Sequence, residues 1–310
     1  MRDVASAQER TPDNSGARHG TVLPDMSPAV AFSTLVTPMV TQVAQRVGTL
    51  SVSADPESLH KLRVVLRRLR SLWWAYEPLI GESRPKRQRR EFKALADSAG
   101  QTRDWDILKH LLAEGAAMPQ SFATLIERID HLRGDALLHS RAAITAANVD
   151  AILAQAIAAV MLQLDARSFD EPLAVFAASR IALAKKALRK RMKRLLMDPH
   201  AGYAEFHDVR IAAKKLRYLL EFFAPLIDNG NGIGVVELTQ MQDELGKLND
   251  IVSSESLLLA HAVSLGERRG VDDALAYLRY LKGNHTQSVD ASLRAISDML
   301  AVRSPESGMK

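Results

Sequence analysis

Two segments of the chain space arginine, lysine and histidine so that positive charge gathers on one side of a helix. In HKLRVVLRRLR, residues 60–70, His60, Arg63, Arg67 and Arg70 recur every three or four positions. At about 100° per residue they share a stripe with Trp74. Leu62, Val65, Leu66, Leu69, Leu72 and Trp73 take the opposite third of the same helix. HDVRIAAKKLR, residues 207–217, repeats the arrangement with His207, Arg210, Lys214 and Arg217 against Val209, Ala212, Ala213, Leu216, Leu219 and Leu220. The chemistry such a stripe offers is anion binding, in which guanidinium forks grip paired oxygens and ammonium groups act as point charges. Like charges on successive turns repel by a few tenths of a kcal/mol per pair. Within these helices no carboxylate is expected to neutralise the stripe. A single basic stripe reads as solvated surface, whereas its recurrence in two distant segments points to a site.

Two more segments add cations. Lys86, Arg89, Arg90 and Lys93 follow an i, i+3, i+4, i+7 pattern, as do Lys186, Arg189, Lys190 and Lys193. The net charge is only +5, yet residues 60–93 carry eleven Lys/Arg against three acids and residues 180–220 carry twelve against three. The rest of the chain is therefore acidic by −12. Segregation of this kind favours a polyanionic partner over a generally basic surface.

The elements that must hold these stripes are set by an internal repeat. At an offset of 147, His60, Arg63, Leu69, Arg70, Leu72, Pro78, Leu79 and Ile80 match His207, Arg210, Leu216, Arg217, Leu219, Pro225, Leu226 and Ile227. Gly100–Asp104 faces Gly246–Asp250, and Leu132–Asp135 faces Leu281–Asn284, at nearly the same offset. Asp55-Pro56-Glu57 reads as an N-cap, a first-turn proline and an acidic first turn. Pro78 and Pro225 are expected to end their helices. The pattern predicts helices over 30–50, 57–79, 86–115 and 121–165, then 172–197, 203–226, 235–265 and 271–301. The expected fold is all-α: two homologous four-helix halves, 28–168 and 169–303, packed about a pseudo-twofold axis around a basic central cavity. Residues 1–27 are expected to be a disordered polar tail and 304–310 a second tail.

Composition excludes several classes. Hydrophobic residues make up 47% and charged residues 25%, enough for a full core. With no cysteine there are no disulfides, thiolate metal sites or thiol nucleophile. The N-terminus lacks the apolar stretch of a signal peptide, and the run from Ala151 to Leu164 falls short of a membrane span, so a cytoplasmic protein is expected. No phosphate-binding loop, dinucleotide fingerprint, nucleophile elbow or paired carboxylates for magnesium occur. The remaining histidines show no metal-ligand spacing, so neither metal nor cofactor is expected. Arg103-Asp104 and Asn249-Asp250 read as helix braces.

The repeated HxxRxxxRRLR pattern, with Gly100-x-x-Arg103-Asp104 after it, resembles the CHAD family, the conserved-histidine α-helical domain. The likeness spans roughly residues 30–300. It implies a basic central cavity that binds long-chain inorganic polyphosphate, which sulfate or phosphate ions could also occupy. By position, the family's histidines fall on His60 and His207. Its basic ligands fall on Arg63, Arg67, Arg70, Arg210, Lys214 and Arg217, with Lys186, Arg189 and Lys193 from the preceding helix. Lys86, Arg89, Arg90 and Lys93 extend the expected channel. Asn249 departs from the pattern, which favours arginine there, and the first helix is poor in cations. The ExExK strand motif of a fused triphosphate tunnel is missing, so a stand-alone, non-catalytic module associated with polyphosphate or storage-polymer granules is expected. The alternatives are a nucleic-acid-binding helical protein and a metal-dependent polyphosphate-processing enzyme. Aromatic content of 5% makes nucleic acid the weaker partner, although Trp74 could stack a base.

Overall fold

The computed structural model describes residues 20–81, 83–114, 120–166, 171–226, 234–266 and 268–302. Every element among them is helical. In chain order they are α1 (Pro28–Val52), α2 (Pro56–Ile80), α3 (Ser83–Ser98), α4 (Gln101–Ala113), α5 (Gln120–Ala146), α6 (Val149–Asp165), α7 (Leu173–Met197), α8 (Tyr203–Phe223), α9 (Val235–Ala260), α10 (Ala262–Leu265) and α11 (Arg268–Val302). A single 3-10 turn, Ala224–Leu226, follows α8.

Local chemistry sets the boundaries. Asp55 caps α2 by accepting from the backbone N–H groups of Glu57 and Ser58, at 3.2 and 3.0 Å. Glu205 and Glu237 do the same for the amides of Gly202 and Gly234, each at 3.0 Å, opening α8 and α9. Three of the expected long helices are broken. The stretch predicted as 86–115 divides at Ala99-Gly100 into α3 and α4. There the Arg63 guanidinium presses so close that a Cβ on Gly100 would lie 2.4 Å from it. The stretch predicted as 121–165 divides at Asn148, whose left-handed φ of 44° ends α5. The Asn148 side chain then caps α6, and the two helices bend by 51°. Likewise 235–265 is interrupted at His261, giving α9 and α10.

Pro78 does not end its helix. It sits inside the last turn of α2, where the missing N–H leaves the Trp74 carbonyl without its helical donor. Arg180 of α7 supplies one instead, donating to that carbonyl at 2.9 Å. Pro225 falls beyond α8, in the 3-10 turn. The described chain also enters the fold earlier than expected, because Val22 is fully buried. Residues 1–19 and the tail 304–310 lie outside the described residues.

The main core forms around α2 and α8, the two repeat helices, which pack against each other. Equivalent elements of the two halves also meet as α4 with α9 and α5 with α11. An aromatic chain runs through this core. Trp73 and Tyr76 each meet Phe32 at 5.1 Å, Trp73 meets Phe92 at 5.0 Å, and Tyr76 meets Phe176 at 5.7 Å. The buried Trp73 indole donates to Gln88 Oε1 at 2.7 Å, and Gln88 Nε2 donates to the Ala156 carbonyl of α6 at 3.3 Å. This link fixes α3 between α2 and α6. A second core of Trp105, Leu108, Leu125, Leu258, Leu275 and their neighbours joins α4, α5, α9, α10 and α11. Among the described residues, no single helix is long and apolar enough to cross a membrane.

Candidate functional site: a cationic cleft between three helices

Burial of the apolar faces of α2 and α8 turns their basic stripes toward a shared cleft of about 830 Å³, closed on a third side by α3. Its charged lining is Arg67 and Arg70 of α2, Lys86, Arg89, Arg90 and Lys93 of α3, and Arg210, Lys214 and Lys215 of α8. Nine lysines and arginines thus face one carboxylate, Glu77. Trp74, Ser71, Tyr218, Ile211 and His207 complete the wall.

The expectation that no carboxylate would answer these cations needs correction. Arg217 pairs with Glu221 one turn along α8 at 2.6 Å and donates to Gln242 Oε1 at 2.9 Å. Arg63 pairs with Asp104 at 3.2 Å, Arg89 is bidentate on Glu77 at 2.9 and 3.3 Å, and Lys93 pairs with Asp97. Within α8 and α3 the partners of Arg217 and Lys93 stood at the i+4 position and were legible; those of Arg63 and Arg89 are contributed by tertiary packing. Arg63 and Arg217 are consequently braced beside the cleft and do not line it. Arg67, Arg70, Arg90, Arg210, Lys214 and Lys215 form no ion pair among the described residues.

Burial without compensation perturbs these groups strongly. Desolvation, then the nearby Arg67, Arg210 and Arg217, push the Lys214 ammonium down to about 5, with only Asp250 of α9 pulling the other way. Lys214 is therefore neutral at neutral pH. Lys215 is lowered by burial first and then by Arg191 and Arg89. Burial also lowers Arg70 and Arg210, yet guanidinium starts so high that both stay charged. Their Nε atoms are buried with no hydrogen-bond partner among the described residues. That arrangement is unfavourable unless an anion fills the cleft.

The two histidines are placed differently. His207 lines the cleft, with Nδ1 3.3 Å from the Tyr203 hydroxyl. That hydroxyl donates to Asn249 Oδ1 at 2.9 Å, so the Nδ1–H of His207 donates to Tyr203 and leaves Nε2 for a ligand. Asn249 here does what an arginine could not, because an acceptor is required. His60, at the start of α2, is partly buried and does not line the cleft. Among the described residues no three His, Asp or Glu side chains come together in a way that could hold a metal ion.

The stripe predicted on α7 also lies elsewhere. Lys186, Arg189 and Lys193 are exposed and do not line the cleft. From α7 it is Arg180 and Arg191 that come within electrostatic reach of Lys215. The site is accordingly asymmetric, drawing α2 and α3 from the first half but α8 alone from the second. Sequence reasoning missed Lys215 and the role of Trp74. The Arg180 guanidinium lies 4.6 Å and the Lys215 ammonium 4.8 Å from the Trp74 ring centroid. Only the neighbouring position of Lys214 hinted at Lys215; the shared tryptophan is an inter-helix contact with no signature in the chain.

Comparison with known proteins agrees with this architecture. The CHAD domain family model matches residues 39–259. The crystal structure of the CHAD domain from the plant Ricinus communis superposes with a TM-score of 0.72 at 24% identity, covering 90% of this chain and 96% of that one. PptA from Streptomyces chartreusis has a similar fold, with a TM-score of 0.59 at 13% identity over 87% of this chain and 99% of its own. At these identities the likeness concerns the fold. No curated protein matches the sequence.

Proposed function

The chain belongs to the CHAD domain family, and from that premise we propose that it is a non-catalytic binding module for inorganic polyphosphate, held in the cleft between α2, α3 and α8. The observation that carries this reading is the lining itself. Nine lysines and arginines converge on one cavity with a single carboxylate, and among the described residues six of them lack an ion-pair partner. A flexible chain with roughly one charge per phosphate and no bases can thread such a groove and satisfy several guanidinium groups in succession.

A catalytic role in polyphosphate turnover calls for carboxylates that hold a divalent ion, and Glu77 is committed to Arg89. A nucleic-acid role calls for free aromatic faces, whereas the Trp74 ring already carries two cations. Attachment to polyphosphate-containing granules is the cellular role this reading implies.

The test is competition between long-chain polyphosphate and a single-stranded oligonucleotide at fixed ionic strength, followed by a salt titration. Polyphosphate is expected to win. Log affinity should fall with log salt by about 0.7 for each phosphate contact, as for single strands. Arg67→Ala or Arg210→Ala should each flatten that slope by about one contact. Salt-independent affinity, or preference for the oligonucleotide, would remove the cleft as a polyphosphate site.

A further inference from the structure

The cleft contains one group that a passive anion binder does not need. Lys214 lies in the lining between Arg210, one turn earlier on α8, and Arg217, one turn later, with Arg67 facing it from α2 and Asp250 from α9. Its amine makes no ion pair among the described residues. An amine held beside guanidinium groups in a cavity open to solvent is placed as a nucleophile beside an anion cradle. Lysine nucleophiles arise in such surroundings, where neighbouring cations and desolvation keep the amine unprotonated. The charges that suppress the ammonium are also those that would dock a phosphate.

We propose that Lys214 is a site of covalent acylation by acyl phosphates. The Arg67 and Arg210 guanidinium groups hold the phosphate of the donor, which brings its carbonyl carbon to the Lys214 amine. A C–N bond forms, the acyl C–O bond to phosphate breaks, and the amine proton leaves with the departing orthophosphate. Acyl phosphate and amine become amide and hydrogen phosphate, and no other reactant is needed. The burial of Lys214 and its drop to about 5 agree with this geometry, because the amine is reactive at neutral pH without first losing a proton. Once acylated, the position can no longer take up charge, so modification should weaken polyanion binding. The inference rests on the cleft being a phosphate site.

The full-length chain is incubated with acetyl phosphate, and acetylation is quantified at each lysine by peptide mass spectrometry. The exposed Lys186, Lys190 and Lys193 of α7 serve as internal standards. At about pH 7.5 Lys214 is expected to react roughly ten-fold faster than they do. At donor concentrations far below saturation the rate follows the free protein's ionisation, so between about pH 6 and 9 it should stay nearly level at Lys214, whereas an ordinary lysine gains about ten-fold per pH unit. The preference should shrink with a neutral acetyl ester and in Arg67→Gln. Because Arg67→Gln could disturb packing, orthophosphate protection of wild-type Lys214 is measured alongside. Equal rates at Lys214 and Lys186, or a parallel rise with pH, would overturn the inference. Calorimetry with polyphosphate on the same preparation separates the two readings. Polyphosphate binding without selective acetylation sinks this inference alone. Selective acetylation that polyphosphate neither blocks nor accompanies with binding sinks the polyphosphate reading and leaves this one standing.

Discussion

At the scale of single residues, charge burial explains more than charge count. Lys214 and Arg210 belong to the same stripe, yet desolvation among cations silences the ammonium while the guanidinium stays charged. A bound polyanion should restore the lost proton. The Lys214 value is depressed to about 5 in the empty cleft and raised in the complex, so between those two values binding takes up a proton. Affinity should therefore rise as pH falls from the complex's value toward about 5, and level off below it. Calorimetry in buffers of different ionisation enthalpy should detect uptake at neutral pH, and Lys214→Met should abolish it. Uptake that persists unchanged in that variant would assign the proton to another group. The same depression acts on stability with the sign of a lysine whose folded value lies below its unfolded one. The unfolded chain binds the extra proton, so stability rises with pH above about 5, and Lys214→Met should flatten that rise.

At the scale of elements, the cations are aimed by buried contacts some distance from the cleft. Gln88 sits on α3 among Lys86, Arg89, Arg90 and Lys93, accepting from the Trp73 indole and donating to α6. Gln88→Leu would leave the Trp73 indole N–H unpaired in the core and remove the tie to the Ala156 carbonyl of α6, costing about 1–3 kcal/mol. Thermal unfolding should report that loss. Polyphosphate affinity should fall as well, because α3 loses its register against α2. Normal affinity in a destabilised variant would show that α3 is positioned by the rest of its packing. Pro78 and Arg180 form a comparable device. The proline frees the Trp74 carbonyl, the arginine satisfies it, and the same guanidinium then lies over the Trp74 ring. Gly100 is a third, since any side chain there would displace the Arg63 guanidinium from the Gly100 carbonyl and Asp104.

At the scale of the whole molecule, the cleft is a site of mutual repulsion between its walls. With Lys214 neutral, five cations without ion pairs among the described residues share its walls, and the buried Nε atoms of Arg70 and Arg210 lack partners there. Anything that fills the cleft should stabilise the fold by mass action, by about 2.7 kcal/mol at a free ligand concentration of about 100 times the dissociation constant. Long-chain polyphosphate should raise the melting temperature clearly, and orthophosphate at equal phosphorus should raise it little. Equal shifts from the two would attribute the effect to ionic strength.

The sequence alone determined the helical class, the repeat and the apolar and basic faces of α2 and α8, because helical periodicity and composition are local properties of the chain. It also placed Arg67, Arg70, Lys86, Arg89, Arg90, Lys93, Arg210 and Lys214 on surfaces that do line one cleft. Tertiary structure decided the rest. Which face of α7 turns inward depends on how it packs on α8, so Arg180 lies against Trp74 behind the cleft wall while Lys186, Arg189 and Lys193 stay in solvent. Arg63 and Arg89 are neutralised by carboxylates from other helices, Asp104 and Glu77, which no pattern within their own helices announces. The breaks at Gly100 and Asn148 depend on a guanidinium arriving from elsewhere and on one left-handed residue. Two histidines equivalent in the repeat became unequal because Tyr203 and Asn249 orient only His207 toward the cleft. Periodicity assigns a residue to a face; only packing decides what that face meets.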